Sequence, residues 1–163
     1  MNSETKTIQY RGGIVQFRLP AHWQEDYDPQ GGGTFYEDRA DSGTLRLEVL
    51  TANLREGELF ERAIERACSV GDFELLASGL RMRRRTIASE EQGTAIHLHR
   101  WEIAVPVPPN QLRVVCFTHT ILASQETHRA IAEELAFIGK SIRDAEFSRE
   151  PGISGDYHHA RRT

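Results

Sequence analysis

Between Leu80 and Leu122 three runs of strand character, Leu80 to Ala88, Thr94 to Val105 and Leu112 to Leu122, follow one another with no helical stretch between them. Parallel neighbours need a crossover of a dozen residues or more, usually a helix. The connections here are only Glu90 to Gly93 and the turn-forming Pro106-Val107-Pro108-Pro109-Asn110. This third of the chain is therefore expected to be an antiparallel meander.

The rest of the chain extends that reading. Lys6 to Arg11 and Ile14 to Leu19 flank Gly12-Gly13, a two-residue break of hairpin type. Val15, Phe17 and Leu19 alternate with Gln16 and Arg18, which gives one apolar and one polar side until Pro20, with no N–H to donate, ends the ladder. Gly31-Gly32-Gly33 reads as a flexible turn into Thr34 to Glu37, and Gly43 opens a longer strand carrying Leu45, Leu47 and Val49 on one side.

From Glu56 the apolar period changes from two to 3.6, with Leu59, Phe60, Ala63, Ile64 and Ala67 on one stripe, and Asn53 with Glu56 resembles a capping pair. Gly71 is the expected stop of this helix. A second helix is expected after Ser124 as its cap, with Ile131, Leu135, Ile138 and Ile142 turned inward. Strands, a helix, three strands and a helix predict an α+β fold: an antiparallel sheet of about six or seven strands with two main helices on its faces.

A chain of 163 residues suits one domain with one core, taken as residues 1–147, followed by a tail at 148–163 too poor in apolar groups to order itself. The net charge of -4 argues against a dedicated nucleic-acid binder, which would show a basic excess. No apolar run approaches the ~18 residues of a membrane span, and Met1 to Gly13 lacks a signal-peptide pattern, so the expected location is the cytoplasm. The two cysteines, Cys68 and Cys116, read as small buried hydrophobes, with a disulfide between them left open.

The element order, the segment Phe17-Arg18-Leu19-Pro20-Ala21-His22-Trp23 and the Gly-rich turn before Thr34 resemble the PsbP-like αβα sandwich superfamily over about residues 6–145. That superfamily includes a subunit of the photosynthetic oxygen-evolving complex, a nuclear import factor that binds a small GTPase, and bacterial adaptors that chaperone secreted effectors. The resemblance implies an αβα sandwich and a protein-binding role without catalysis, and it assigns no residue a function. Trp23 is expected in the core or at a sheet edge.

Turn centres near residues 91 and 109 would gather Arg81, Arg83 and Arg85 beside His97, His99 and Trp101, opposite Phe117, His119 and Ile121. Such a face suits an acidic segment or a carboxylate ligand, because guanidinium groups bind carboxylates in a bidentate way. The competing reading is a solvated face whose charges prevent aggregation. A shift of one residue in register would send every side chain of a strand to the other side.

His97, His99 and Glu102 form an HxHxxE string that resembles the first metal motif of cupins, and His119 across the ladder would make a third imidazole for a metal ion. Glu102 falls on the opposite side from both histidines, the second cupin motif is absent, and adjacent arginines repel a cation. No cofactor is expected. There is no GxSxG, phosphate-loop or paired CxxC motif, and Cys116 and His119, three apart, lie on opposite sides of a strand.

These readings converge on a non-catalytic protein-binding module, an adaptor or chaperone-like subunit. A small-ligand or metal-binding protein using the His/Arg face is the alternative. Homodimerisation through an open sheet edge is a third.

Overall fold

A computed structural model describes residues 4–68 and 73–151. The first hairpin pairs β1 (Thr5–Tyr10) with β2 (Val15–Pro20), closed by a four-residue turn rather than two, since Tyr10 lies opposite Val15. Arg11, Gly12 and Gly13 in this turn all have positive φ. The hairpin stands apart from the main sheet and takes β10 (Glu146–Phe147) as its third strand. The apolar side of β2 explains why it stacks on the main sheet instead of lengthening it. Val15, Phe17 and Leu19 are buried, and the Phe17 ring meets Phe35 and Phe117 edge-on at 5.5 and 5.1 Å.

The main sheet holds β3 (Gln24–Tyr27), β4 (Gly33–Tyr36), β5 (Thr44–Asn53), β6 (Glu74–Leu75), β7 (Arg81–Glu91), β8 (Thr94–Val107) and β9 (Gln111–Leu122). Its order is β3-β4-β5-β9-β8-β7-β6, with every pair antiparallel. The α+β class expected from the order of elements is what the chain adopts. One edge strand, β3, is exposed throughout and carries Glu25 and Asp26, while the other, β6, is two residues long; both features discourage edge pairing.

Helix α1 (Phe60–Ala67) covers part of one side of the sheet, where Ala63, Ile64 and Cys68 meet Ala104, Leu112, Val114 and Cys116. It starts later than the Asn53–Glu56 pair suggested. Residues before Leu59 are held by a turn in which the Arg55 N–H donates to Glu58 Oε1, so Asn53 caps nothing. Helix α2 (Arg129–Arg143) covers the opposite side together with the small sheet. Ile131, Leu135, Ile138 and Ile142 are its inner stripe, as their spacing requires. Ser124 does not cap it, because residues 123–125 form a separate 3-10 turn and the helix begins after His128.

Trp23 is buried. Both cysteines are buried and free. Ser148 to Glu150, assigned to the tail on composition, are bonded to the body: the Arg113 guanidinium donates to the Ser148 and Glu150 carbonyls at 2.6 and 2.9 Å. Residues 152–163 and the helix stop at Gly71 lie outside the described residues.

Candidate functional site

The turn between β7 and β8 decides where the charges go. Gln92 and Gly93 both have positive φ, the conformation of a two-residue primed hairpin turn. The turn centre thus falls between them rather than near 91, and Arg81 pairs with Ala104 instead of Trp101. That displacement is three residues, an odd number, so β7 is turned over relative to the expected arrangement. Arg81, Arg83 and Arg85 do not join His97, His99 and Trp101; they lie on the α1 side. The residue that meets the Trp101 ring is Arg84, its guanidinium 5.2 Å from the ring centre.

The β8–β9 turn sits where the prolines predict, and there the expected pairs form: Trp101 with Phe117, His99 with His119, His97 with Ile121. This α2 side sets its imidazoles, His99 and His119 buried and His97 partly exposed, against acids brought by the segment that covers them. His97 Nδ1 and His99 Nε2 both contact Glu126 Oε2, at 2.9 and 3.0 Å, and His119 Nε2 contacts Glu134 Oε2 at 2.9 Å. The His119 ring also stacks on Trp23 at 6.3 Å. Burial of Glu126 works against its charge, but hydrogen bonds from His97 and His99 outweigh it and hold the carboxyl below its ordinary range. The three histidines are thus divided between two carboxylates. Among the described residues no group of three or more histidine, cysteine or acidic side chains is arranged to hold a metal ion.

The α1 side is built differently. Two consecutive rungs cross β5, β9, β8 and β7: Glu48, Cys116, Glu102 and Arg83, then Arg46, Thr118, Arg100 and Arg85. In the first rung Arg83 and Glu102 are 3% and 4% exposed, and the Arg83 guanidinium donates to Glu102 Oε2 at 2.5 Å. Buried charges persist only when paired in this way. Arg83 is also 5.4 Å from the centre of the Phe73 ring.

The other carboxylate oxygen of Glu102 is approached from the second rung. Arg100 Nε lies 2.9 Å and Arg85 Nη2 3.5 Å from Oε1. The Nε atoms of both arginines are buried with no hydrogen-bond partner, so the Arg100 contact is an ion pair without an aligned hydrogen bond, and the Arg85 contact is a long one; Arg100 Nη2 donates instead to Cys116 Sγ at 3.5 Å.

Beside these groups is an open cavity of about 320 Å³, bounded by the end of α1 and by Arg85, Arg100, Val114 and Cys116. Arg66 on its rim is already engaged, donating to both oxygens of Glu58 at 3.1 and 2.8 Å. The same bonds pull the Glu58 carboxyl down to about 2. Burial pushes both thiols up: at Cys116 the bond and charge of Arg100 pull partly back, and at Cys68 the charge of Glu102 adds to the rise while Arg83 opposes it. Protonated thiols are poor nucleophiles and poor metal ligands, so both cysteines act as small walls.

Arg46 and Arg100 were not singled out by sequence reasoning. For Arg100 the available signal was Gln92-Gly93, since placing the turn there sets Arg85 opposite Arg100; Arg46 joins the row only through the pairing of β5 with β9, which no turn encodes.

No protein-family model matches the chain, and no curated protein matches it in sequence. Several solved structures are similar in fold, among them the following two. A protein of Bacteroides thetaiotaomicron superposes with a TM-score of 0.58 at 14% identity over 91% of this chain and 49% of its own. The chain thus spans about half the length of that protein. LpqN of Mycobacterium tuberculosis, described as involved in cell envelope biogenesis, superposes with a TM-score of 0.53 at 8% identity, covering 89% of this chain and 91% of its own. Likeness at these identities concerns the fold alone. No described helix is long and apolar enough to cross a membrane.

Proposed function

We propose that this chain is a non-catalytic protein-binding module, adaptor-like or chaperone-like, that receives an acidic segment of a partner protein across the arginine row of its α1 side. One observation carries the reading: the rung Arg46, Thr118, Arg100 and Arg85 crosses four strands beside the end of α1, and none of its four side chains is fully buried. Neighbouring strands are about 4.8 Å apart, so the row spans roughly 14 Å, the length of a few extended residues. Glu102 and Glu48 in the adjacent rung offset part of the charge, and the arginines still outnumber them.

The resemblance to the PsbP-like superfamily supports a binding role rather than catalysis, and the raised thiol pKa values agree with it. A second copy of the chain would bring the same positive row against this one, so the reading favours a different partner over a homodimer. The two free cysteines suit a reducing compartment, and we take the cytoplasm as the site of action.

Fluorescence anisotropy with a labelled oligo-glutamate peptide, and an oligo-lysine peptide as control, tests the reading. Wild type should bind only the acidic peptide, more weakly as salt is raised. Arg46→Glu with Arg85→Glu should weaken binding by at least about tenfold, the equivalent of losing one charge-assisted contact. Equal binding by wild type and variant, or no binding to the acidic peptide, would remove the proposal.

A further inference from the structure

We infer that the cavity beside the end of α1 is a seat for a single carboxylate group, with Arg85 and Arg100 as its ligands; this rests on the reading of the α1 side as a surface for an acidic segment. The volume comes first. At about 320 Å³ the cavity sits at the small end of the range for ligand sites, roughly 300 to 1,000 Å³. It suits one aspartate or glutamate side chain, a chain terminus or a small free acid.

Donor bookkeeping comes second. Arg66 is held by Glu58, and Arg83 donates to Glu102 Oε2. Arg100 Nη2 donates to Cys116 Sγ at 3.5 Å, while toward Glu102 Oε1 Arg85 and Arg100 make only ion pairs, and the Nε atom of each is left without a hydrogen-bond partner. A guanidinium carries five N–H donors in a planar fork, and here two forks border the same cavity.

The walls complete the case. Val114 is apolar, and Cys68 and Cys116 are neutral thiols whose burial raises their pKa, so the guanidinium charge is not screened by thiolate. Glu102, already engaged, keeps the two arginines in place, so the seat is formed before a ligand arrives. Glu48, opposite Cys116, and Arg46, one rung along, carry opposite charges on the neighbouring strand β5.

The test titrates the full chain with sodium glutarate, acetate and inorganic phosphate while following the arginine Nε–Hε resonances by NMR. Glutarate and acetate should move the Arg85 and Arg100 signals saturably. Arg85→Gln should weaken that binding about tenfold, whereas Arg62→Gln on the outer side of α1 should leave it unchanged. Arg85 is 38% exposed, so its variant should fold; Arg85→Lys, which keeps charge but loses the fork, is the second variant and should also weaken binding.

No saturable shift, an unchanged response in Arg85→Gln, or tighter binding of phosphate than of either acid would overturn the assignment. The outcome is separable from that of the peptide experiment. Glutarate that binds while oligo-glutamate does not would uphold the seat and remove the protein-binding reading. Peptide binding that glutarate does not compete with would uphold the surface and overturn the seat.

Discussion

The two sides of the seven-stranded sheet both bury charged or titratable groups, yet they balance them differently. On the α2 side the sheet offers imidazoles and the covering segment brings the acids, Glu126 to His97 and His99 and Glu134 to His119. On the α1 side one buried carboxylate, Glu102, stands among Arg83, Arg85 and Arg100. The cause is the cover. Helix α2 runs for 15 residues along its side, whereas α1 has 8, and its end lines the cavity beside Arg85 and Arg100 without burying them fully. Over His99 and His119 the cover comes from within the chain, and it brings the neutralising carboxylates with it. Arg46, Arg85 and Arg100, which stay at least partly exposed, keep a surplus that an outside group can meet, and this is why the proposed function belongs to the α1 side.

Breaking the α1 balance should have the largest effect. Glu102→Ala removes the carboxylate that pairs with a guanidinium only 3% exposed, and loss of one member of a buried ion pair costs about 3–5 kcal/mol. Removing both members with Arg83→Met and Glu102→Leu should cost far less, because a packed apolar pair avoids the desolvation of two charges. Urea unfolding of the two variants beside wild type separates the cases. Equal losses in both would mean that Arg83 and Glu102 are not an independent pair.

The matching intervention on the α2 side acts through shape. A Cβ built on Gly43 would lie 2.4 Å from His119 Nε2. His119 is fully buried between Trp23 and its bond to Glu134, so the ring has little room to give. Gly43→Ala should cost about 1–3 kcal/mol by overpacking. Adding His119→Ala should recover part of that loss in thermal unfolding, and no recovery would place the clash elsewhere.

How much of this was legible depended on which turn set the register. The prolines of residues 106–110 centre the β8–β9 turn, and the pairs Trp101–Phe117 and His99–His119 follow from them. The β7–β8 turn was read one to two residues early, which sent three arginines to the wrong side while leaving the class, the order of elements and the α2 stripe intact. Period-two alternation says that Arg81, Arg83 and Arg85 share a side, but not which side. Only the hairpin turn or the partner strand supplies that. The carboxylates of Glu126 and Glu134 were illegible for another reason: they approach the histidines across the packed layer, and no local spacing encodes such a contact. The separate three-stranded sheet was hidden likewise, since β10 pairs with β2 across most of the chain.

The mildest test asks whether the α2 balance is electrostatic, and acid titration can answer it. The Glu126 carboxyl titrates below its ordinary value of 4.5 because the bonds from His97 and His99 outweigh its burial. A depressed folded pKa means that the contribution is complete above the unfolded value, and that it fades as pH falls through the lower folded value. Glu126 is about one-third exposed, so solvent screens the pair, and the contribution at neutral pH should be no more than about 1 kcal/mol. Glu126→Gln keeps the size of the side chain and removes the charge. In urea unfolding from about pH 6 down to about pH 3, wild type should lead the variant by a constant margin above 4.5, and the margin should close toward the acid end. Thr86 Oγ1, 3.3 Å from His99 Nδ1, would keep its contact in the variant, so a change in the margin reports on the carboxylate. A margin that persists to the acid end would show that Glu126 acts by packing and neutral hydrogen bonding, and the contrast between the two sides would then rest on cover alone.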